Sequence, residues 1–486
     1  MKLFLAGAGV AATLLFSAAG ASAATIDVNT TDDTMGGSPT TCSLREAITA
    51  ANTNSTLDGC TLGSGADVIR LPAGTYRITI AGPGEDSNTT GDFDIKGPDA
   101  LTIQPINDEA RVVIDGNQLD RVFDKDSAGS LLLSQLRVTG GELTGIEDGG
   151  GIRLSVGSTT LDGVTVDGNH TGYEGGGIAV YATMSMINST LSGNRAGGNG
   201  GGFYVPGGAS VTARSSTIAE NVADADGNGN GYGGGFAETG GLSVNFYNVI
   251  NAGNEGKPVL PADKANDCYS GPNFFPRYVV QTQPLGPLDC LIAFDPGTNQ
   301  VVTDAKLGPL KLNGGQTPTQ ALLDGSPAIG TGGTAAPDQC PAVDQNGNPR
   351  PADSCDIGAV QYFKQPLPPI PNPTNTTATY DGKNLYIRLK CPARFKPKCI
   401  STAVPVTKRK GGKAMARAKK VITRANGWKR VTFVVKPAFR QKVMAMTFVD
   451  KKQLVTRQKI RSKRVGKRKA KRPSTVFHIY KVRVKA

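Results

Sequence analysis

Leu161-Asp162-Gly163-Val164-Thr165-Val166-Asp167-Gly168-Asn169-His170-Thr171-Gly172-Tyr173-Glu174-Gly175-Gly176-Gly177-Ile178 contains two phrases that return through the middle of the chain. Three glycines and an apolar residue stand at Gly149-Gly150-Gly151-Ile152, Gly175-Gly176-Gly177-Ile178, Gly200-Gly201-Gly202-Phe203 and Gly233-Gly234-Gly235-Phe236, at intervals of 26, 25 and 33 residues. The phrase ending in Asn169 returns as Ser189-Thr190-Leu191-Ser192-Gly193-Asn194 and Ser216-Thr217-Ile218-Ala219-Glu220-Asn221, and more loosely before Asn254. Its asparagines step by 25, 27 and 33 residues.

Between these marks the apolar residues alternate over short runs, as in Leu161, Val164 and Val166 or Met184, Met186 and Leu191. Short alternating runs broken by Gly and Asn read as strands joined by tight turns, and the glycine content argues against helix. Three short strands with their turns need ~20–25 residues, one coil of a solenoid. The expected fold class is therefore all-β, a right-handed parallel β-helix. A sandwich is the weaker reading, and propeller blades of ~40–50 residues do not match the interval. Stacked coils would place Asn169, Asn194, Asn221 and Asn254 over one another as an internal amide ladder. The 33-residue interval puts a longer loop at Ala223–Gly231. Less regular coils are expected at Val68–Ile80, Ala100–Pro105, Arg111–Asp115, Val122–Phe123 and Leu131–Val138, for eight or so coils in a rod ~40 Å long.

The ends of the chain differ from this body. Lys2, an apolar run from Leu3 to Ala19, and Ala21-Ser22-Ala23 have the order of a secretory signal, residues 1–23, cut before Ala24. Eight cysteines fall into four close sequential pairs: Cys42 with Cys60, Cys268 with Cys290, Cys340 with Cys355, and Cys391 with Cys399. In an oxidising compartment such an even, local set reads as four disulfides. The absence of any C-x-x-C argues against thiolate metal binding. The formal net charge of +13 hides an asymmetry. Residues 374–486 hold 34 Lys and Arg against 2 Asp and Glu, a charge of +32, and residues 1–373 hold 19 against 38, a charge of −19. The proline-rich stretch within residues 364–378 reads as a semi-rigid spacer.

Residues 379–486 alternate like strands at Leu385, Ile387 and Leu389, and again at Val431–Val435, Val443–Val449 and Val476–Val484. They are read as a small β-sandwich-like domain. Its strip Arg461–Arg472, with Arg461, Lys463, Arg464, Lys467, Arg468, Lys469, Lys471 and Arg472, is eight-twelfths basic. Such a charge calls for an anionic partner. Wall polymer, acidic polysaccharide and lipid headgroups fit, and so does the −19 segment itself. Nucleic acid fits by charge alone, but a single Trp428, the lack of a recognition motif and the export signal argue against it.

Near the start, Ser43 and Glu46 have capping-box spacing, and Leu44, Ala47, Ile48 and Ala51 share a helical face. A short amphipathic helix in the segment 24–64 would cover the open end of the rod. Cys42-Ser43-Leu44-Arg45-Glu46-Ala47-Ile48, followed by Asp67-Val68-Ile69-Arg70-Leu71-Pro72-Ala73-Gly74-Thr75-Tyr76, resembles the bacterial CSLREA-domain family. That resemblance implies an exported protein continuing into right-handed β-helix repeats of the pectin-lyase-like fold, here residues 65–255. Leu312-Asn313-Gly314-Gly315-Gln316-Thr317-Pro318-Thr319-Gln320-Ala321-Leu322, Gly325-Ser326-Pro327-Ala328-Ile329-Gly330, Asp344–Pro351 and Asp356-Ile357-Gly358-Ala359-Val360 are similar to the "choice-of-anchor Q" region of such surface proteins, here within residues 256–363. No Leu-Pro-x-Thr-Gly sorting motif follows; the basic domain stands in the anchor's place.

Catalysis has no clear address in the sequence. Glycoside hydrolysis needs two placed carboxylates, and lyase chemistry needs a base with charge neutralisation. Arg153, Asp162, Asp167, His170, Glu174, Arg195 and Glu220 are exposed charges of the repeats that do not recur at one coil position. No catalytic residue is assigned, and Arg45 and Glu46 read as a cap and an ion pair. Asp224, Asp226, Asn228 and Asn230 alternate like the first half of a calcium loop, but the twelfth position is Gly235, not Glu. Weak calcium is the only cofactor expected. The reading is a secreted, cell-surface β-helix for adhesion, display or glycan binding, with a polysaccharide lyase or glycosidase as the alternative.

Overall fold

Short alternating strands separated by glycine turns can bury one edge only by stacking on copies of themselves, and they do so here. The computed structural model describes residues 23–256, 267–282, 290, 297–336 and 338–362, and beyond them 377–380, 384–390, 398–406, 414, 416–424, 428–436, 454–462 and 474–484. It divides into two compact units at Tyr362 and Phe363. The first is a parallel β-solenoid.

One coil runs through Ser158–Asp162 on a first face, Thr165–Asp167 on a second, the two-residue strand His170–Thr171, and Ile178–Val180 on a third. Each strand pairs in parallel with its equivalent one coil away. The third face stacks seven strands, from Phe93–Ile95 to Cys268–Tyr269, which makes about six full turns. That stack is ~30 Å deep at ~4.8 Å per coil, while the first face stacks nine strands, from Thr25–Asp27 to Phe274–Thr282, against the eight or so coils expected.

Parallel in-register stacking turns each sequence period into a column. Ile69, Ile103, Leu133, Leu161, Met186, Ala213 and Phe246 lie over one another inside the first face. Tyr76, Ile114, Val138, Val166, Leu191 and Ile218 do so inside the second. Phe93, Phe123, Ile152, Ile178, Phe203 and Phe236 line the third, where the Phe203 and Phe236 rings stack at 5.1 Å. All are buried, and burial of each large apolar side chain contributes about 1.5–3 kcal/mol.

The glycine triplets are steric necessities. The first glycine of each has a positive φ, +72° at Gly149, +70° at Gly175 and Gly200, and +68° at Gly233, where a Cβ is costly. The third has no room: a Cβ on Gly177 would lie 2.5 Å from the Gly202 carbonyl oxygen and 3.0 Å from the Asn194 amide. Each glycine triplet therefore fits against the asparagine that follows it, one coil on. Asn169 Nδ2 donates to Asn194 Oδ1 at 3.0 Å, Asn194 Nδ2 to Asn221 Oδ1 at 2.9 Å, and Asn221 Nδ2 to Asn254 Oδ1 at 2.9 Å. The backbone N–H of Asn169, Asn194 and Asn221 donates to the same oxygens. The row ends on Asp267, whose Oδ1 accepts the Asn254 N–H at 2.8 Å and its Nδ2 at 3.0 Å, while Oδ2 accepts from the Thr282 N–H and hydroxyl. A carboxylate suits the last rung because four donors meet it and nothing remains to receive a proton from it.

The helix Leu44–Thr53, the one α-helix among the described residues, covers the first end. Ser43 and Glu46 form the reciprocal capping box. Cys42–Cys60, Cys268–Cys290 and Cys340–Cys355 are bonded; Cys391 lies outside the described residues, and with it the fourth expected bond, to Cys399. So do the signal segment through residue 22, most of the spacer, the expected strand Val443–Val449 and the basic strip from Lys463 to Arg472. No helix among the described residues is long and apolar enough to cross a membrane.

Residues 312–361 do not extend the stack. They run along the second face and bury its outward threonine column, Thr165, Thr190 and Thr217. Thr165 Oγ1 donates to the Pro318 carbonyl at 2.6 Å, Thr190 Oγ1 to Gln345 Oε1 at 2.6 Å, and the Ala359 N–H to Thr217 Oγ1 at 3.0 Å. Gln345 Nε2 donates to Thr165 and Thr317, both at 3.0 Å. Buried Arg350 bonds the carbonyls of Asp356 at 3.1 Å and Gly358 at 2.8 Å, and Asn188 Oδ1 at 3.3 Å.

The second unit is one seven-stranded sheet, mostly antiparallel, in the order Lys419–Arg424, Lys398–Val406, Leu454–Ser462, Ser474–Val484, Thr377–Tyr380, Asn384–Lys390 and Trp428–Val434. A bridge between Ala416 and Val435 joins the two edge regions. Leu385, Ile387, Leu389, Ala403, Val431 and Phe433 are buried in it.

Two substitutions test the stack by urea unfolding of the first transition. Asp267→Asn sets an NH2 against donors and is expected to cost about 2–3 kcal/mol. Gly177→Ala drives a Cβ into the next coil's backbone and is expected to cost about 1–3 kcal/mol.

Candidate functional site

The capping helix does more than close the rod. Arg45, fully buried, donates from Nε to Asp33 Oδ1 at 2.6 Å and from Nη2 to Asp33 Oδ2 at 3.2 Å. Its remaining donors reach the carbonyls of Gly91 at 2.7 Å and Asp92 at 3.0 Å, and the guanidinium lies 4.8 Å from the Phe93 ring centroid. The Arg45 carbonyl accepts from Asn88 Nδ2 at 2.9 Å. One side chain thus ties the helix to the loop that leads into the first strand of the third face.

That loop forms one wall of a groove of about 330 Å³, lined by Glu85, Asp86, Asp92, Asp120, Asp124, Glu147 and Asp148 with Arg121 and Arg153. The pleat supplies Asp124 and Arg153, and the loops before the strands supply the rest. Phe93, Phe123 and Ile152 point inward, so Asp94, Asp124 and Arg153 stand outward on three successive rungs, in register. Arg121 holds the middle of the groove: its Nε lies 2.9 Å from Asp92 Oδ2, its Nη2 2.6 Å from Glu147 Oε2, and its Nη1 donates to the Asp148 carbonyl at 2.9 Å. Asp120 Oδ2 accepts the Asp92 N–H at 3.3 Å. Arg153 Nη1 stands 3.5 Å from Asp124 Oδ2 and 5.8 Å from the Tyr181 ring centroid, and the Tyr181 hydroxyl donates to Asp148.

Burial of so many carboxylates has an electrostatic consequence. Desolvation, reinforced by Asp120, pushes the Asp92 carboxyl up to about 9, and desolvation pushes Asp94 up to about 7. Burial raises Asp120, Asp124 and Asp148 as well. Proton-holding carboxyls beside arginines are what acid–base chemistry or polar-ligand binding requires.

Of the charges singled out from sequence, only Arg153 lines this groove. Glu174 accepts from Asn199 Nδ2 at 2.8 Å, and burial raises its carboxyl. His170 Nδ1 lies 2.6 Å from Glu142, Asp167 accepts from Arg137 Nε at 2.6 Å, and Arg195 reaches the Ala225 carbonyl at 3.4 Å. Asp162 lines a separate polar cleft of about 570 Å³ beside residues 341–347, and Glu220 is an exposed turn residue with φ +61°. Asp224 Oδ1 accepts from the N–H of Gly229 at 2.7 Å and of Asn230 at 3.3 Å, and Asp226 accepts from Asn228. The carboxylates of that loop already have donors. Asp124 of the groove and Asp94 beside it share one signal in the sequence, Phe93-Asp94 and Phe123-Asp124 thirty residues apart, an outward acid following an inward aromatic on adjacent coils.

Arg121 and Arg153 make opposite predictions in urea unfolding. Arg121 and Asp92 have side chains 7% and 6% exposed, so Arg121→Gln leaves buried hydrogen-bonding groups without their donor and is expected to cost about 1–3 kcal/mol. Arg153 is 42% exposed, and Arg153→Gln is expected to change stability by less than about 1 kcal/mol. The chain matches no protein-family model and no curated protein.

Proposed function

We propose that the chain is an exported β-helix of the cell surface that binds a glycan in its third-face groove and is held to an anionic envelope polymer by residues 374–486. The groove carries this reading: its carboxylates accept and its arginines donate, the complement of a sugar's hydroxyl pattern, and half-exposed Tyr181 offers an aromatic face beside them. The three disulfides fit an oxidising compartment, as does the Ala21-Ser22-Ala23 signature. The +32 charge of residues 374–486 supports retention.

One observation favours a second reading. Asp92, held up to about 9, keeps a proton at neutral pH and would serve a polysaccharide lyase or glycosidase as an acid.

Both readings meet in one experiment. The full chain is incubated with acidic and neutral polysaccharides; retardation in affinity electrophoresis reports binding, and unsaturated products or new reducing ends report cleavage. Binding without product, weakened at least tenfold by Arg153→Gln, is expected; product moves the assignment to the enzyme, and neither binding nor product rejects the groove as a glycan site. Retention is tested on isolated envelopes. The full chain should stay bound at low salt and elute at about 1 M salt, where screening falls to about 3 Å, and a chain ending at Tyr362 should not bind. Equal retention of both would reject the basic unit as the anchor.

A further inference from the structure

We infer that the carboxylates of Asp86, Asp94 and Asp124 form a binding site for one hard divalent cation, calcium by its donor set, at the capped end of the third face. Each of the three offers an oxygen, and these oxygens lie within 4.8 Å of one another. Oxygens sharing one calcium at about 2.3–2.6 Å stand at most about 5 Å apart, so a single ion can reach all three. Every donor is a carboxylate oxygen, with no imidazole or thiolate in the set, which favours calcium over zinc or copper.

Acids gathered on a surface do not make a site; here two buried atoms ask for a ligand. Asp94 is fully buried and Asp124 is 5% exposed. Each has an Oδ1 that is buried and has no hydrogen-bond partner. The other oxygens are already engaged: Asp94 Oδ2 accepts the Asn88 N–H at 2.9 Å, and Asp124 Oδ2 faces Arg153 Nη1 at 3.5 Å. A buried polar atom with no partner costs about 1–3 kcal/mol, and more when charged. Like charges side by side on adjacent strands add to that cost. A cation between the two Oδ1 atoms removes both penalties together.

Nearby positive groups leave the position open. Arg121 is committed to Asp92 and Glu147. Lys96 Nζ lies 3.4 Å from Asp86 and 3.9 Å from Asp126 and hydrogen-bonds neither buried oxygen; it is the group an ion would displace from Asp86. The third ligand comes from the loop that Arg45 pins and that Glu85 folds by accepting the N–H of Thr89 at 2.7 Å and of Thr90 at 2.9 Å. The cation site stands whether or not the groove takes a glycan.

The test is isothermal titration of calcium chloride into the chelator-stripped full chain, its Asp86→Asn and Asp226→Asn variants, and a parallel titration with magnesium chloride. The Asp86 side chain is 75% exposed, so Asp86→Asn should keep the calcium-free unfolding midpoint, separating lost binding from lost folding. One calcium per chain is expected, with Kd of roughly 10⁻⁴–10⁻³ M, weakened at least tenfold by Asp86→Asn and unchanged by Asp226→Asn. No heat up to about ten times that concentration range would overturn the site. Binding that survives Asp86→Asn and disappears in Asp226→Asn would place the ion on the Asp224–Asn230 loop instead. Magnesium binding as tight as calcium would overturn the choice of metal.

Discussion

The close approach of each coil to the next at the glycine triplet governs the rest of the first unit. Where a Cβ on Gly177 or Gly202 would sit, a carbonyl oxygen of the neighbouring coil already lies 2.5 or 2.3 Å away. Only a backbone without side chains lets the chain turn there and still donate its N–H groups along the stack. The same turn brings the asparagine amide against the third glycine, so glycine and asparagine recur together. The amide-to-amide hydrogen bonds of the row all point one way, from Asn169 towards Asp267, and the row ends in that direction on a group that only accepts.

That regularity makes the irregular third-face end informative. Along most of the solenoid the outward positions hold residues that neighbours satisfy: Glu174 by Asn199, Asp167 by Arg137, Tyr204 by Thr239. Beside the cap, outward positions hold acids, and the loop folded over them brings more. The cap helix enters this arrangement through Arg45, which spends its charge on Asp33 and its remaining donors on loop carbonyls. A motif that reads as an end cap therefore also sets one wall of the groove.

Period and composition made the solenoid legible, because a coil's spacing appears directly as recurrence of glycine, asparagine and inward apolar residues. The amide row was legible for the same reason. The groove was not, since its members come from three coils whose intervals are uneven, among them Asp92, Asp124 and Arg153, and from a loop with no repeat at all. Nothing in the string announces that Asp92 and Arg121 meet. The reach of residues 312–361 was equally hidden: Gln345 lies 180 positions from Thr165, a separation that no local pattern encodes. In the second unit, alternation located the strands around Leu385 and Val431, whereas their order in the sheet depends on long-range pairing.

The strap along the second face also decides how the molecule would carry mechanical load. Tension drawn through the chain beyond Tyr362 meets the Tyr362 and Gln361 contacts with Asp356 and Asp344, and then those of Ala359 and Gly358 with Thr217 and Asn248, towards the later coils of the stack. The last coil is held to the same strap, by Arg277 to Asp338 at 3.1 Å and by Val280 packed with Ile357 and Val360. Farther along, force arriving at Cys355 crosses the bond to Cys340, so the enclosed loop with Val343, Gln345 and Arg350 is bypassed. Those grips on Asn188 and Thr165 stay slack while the covalent link takes the pull.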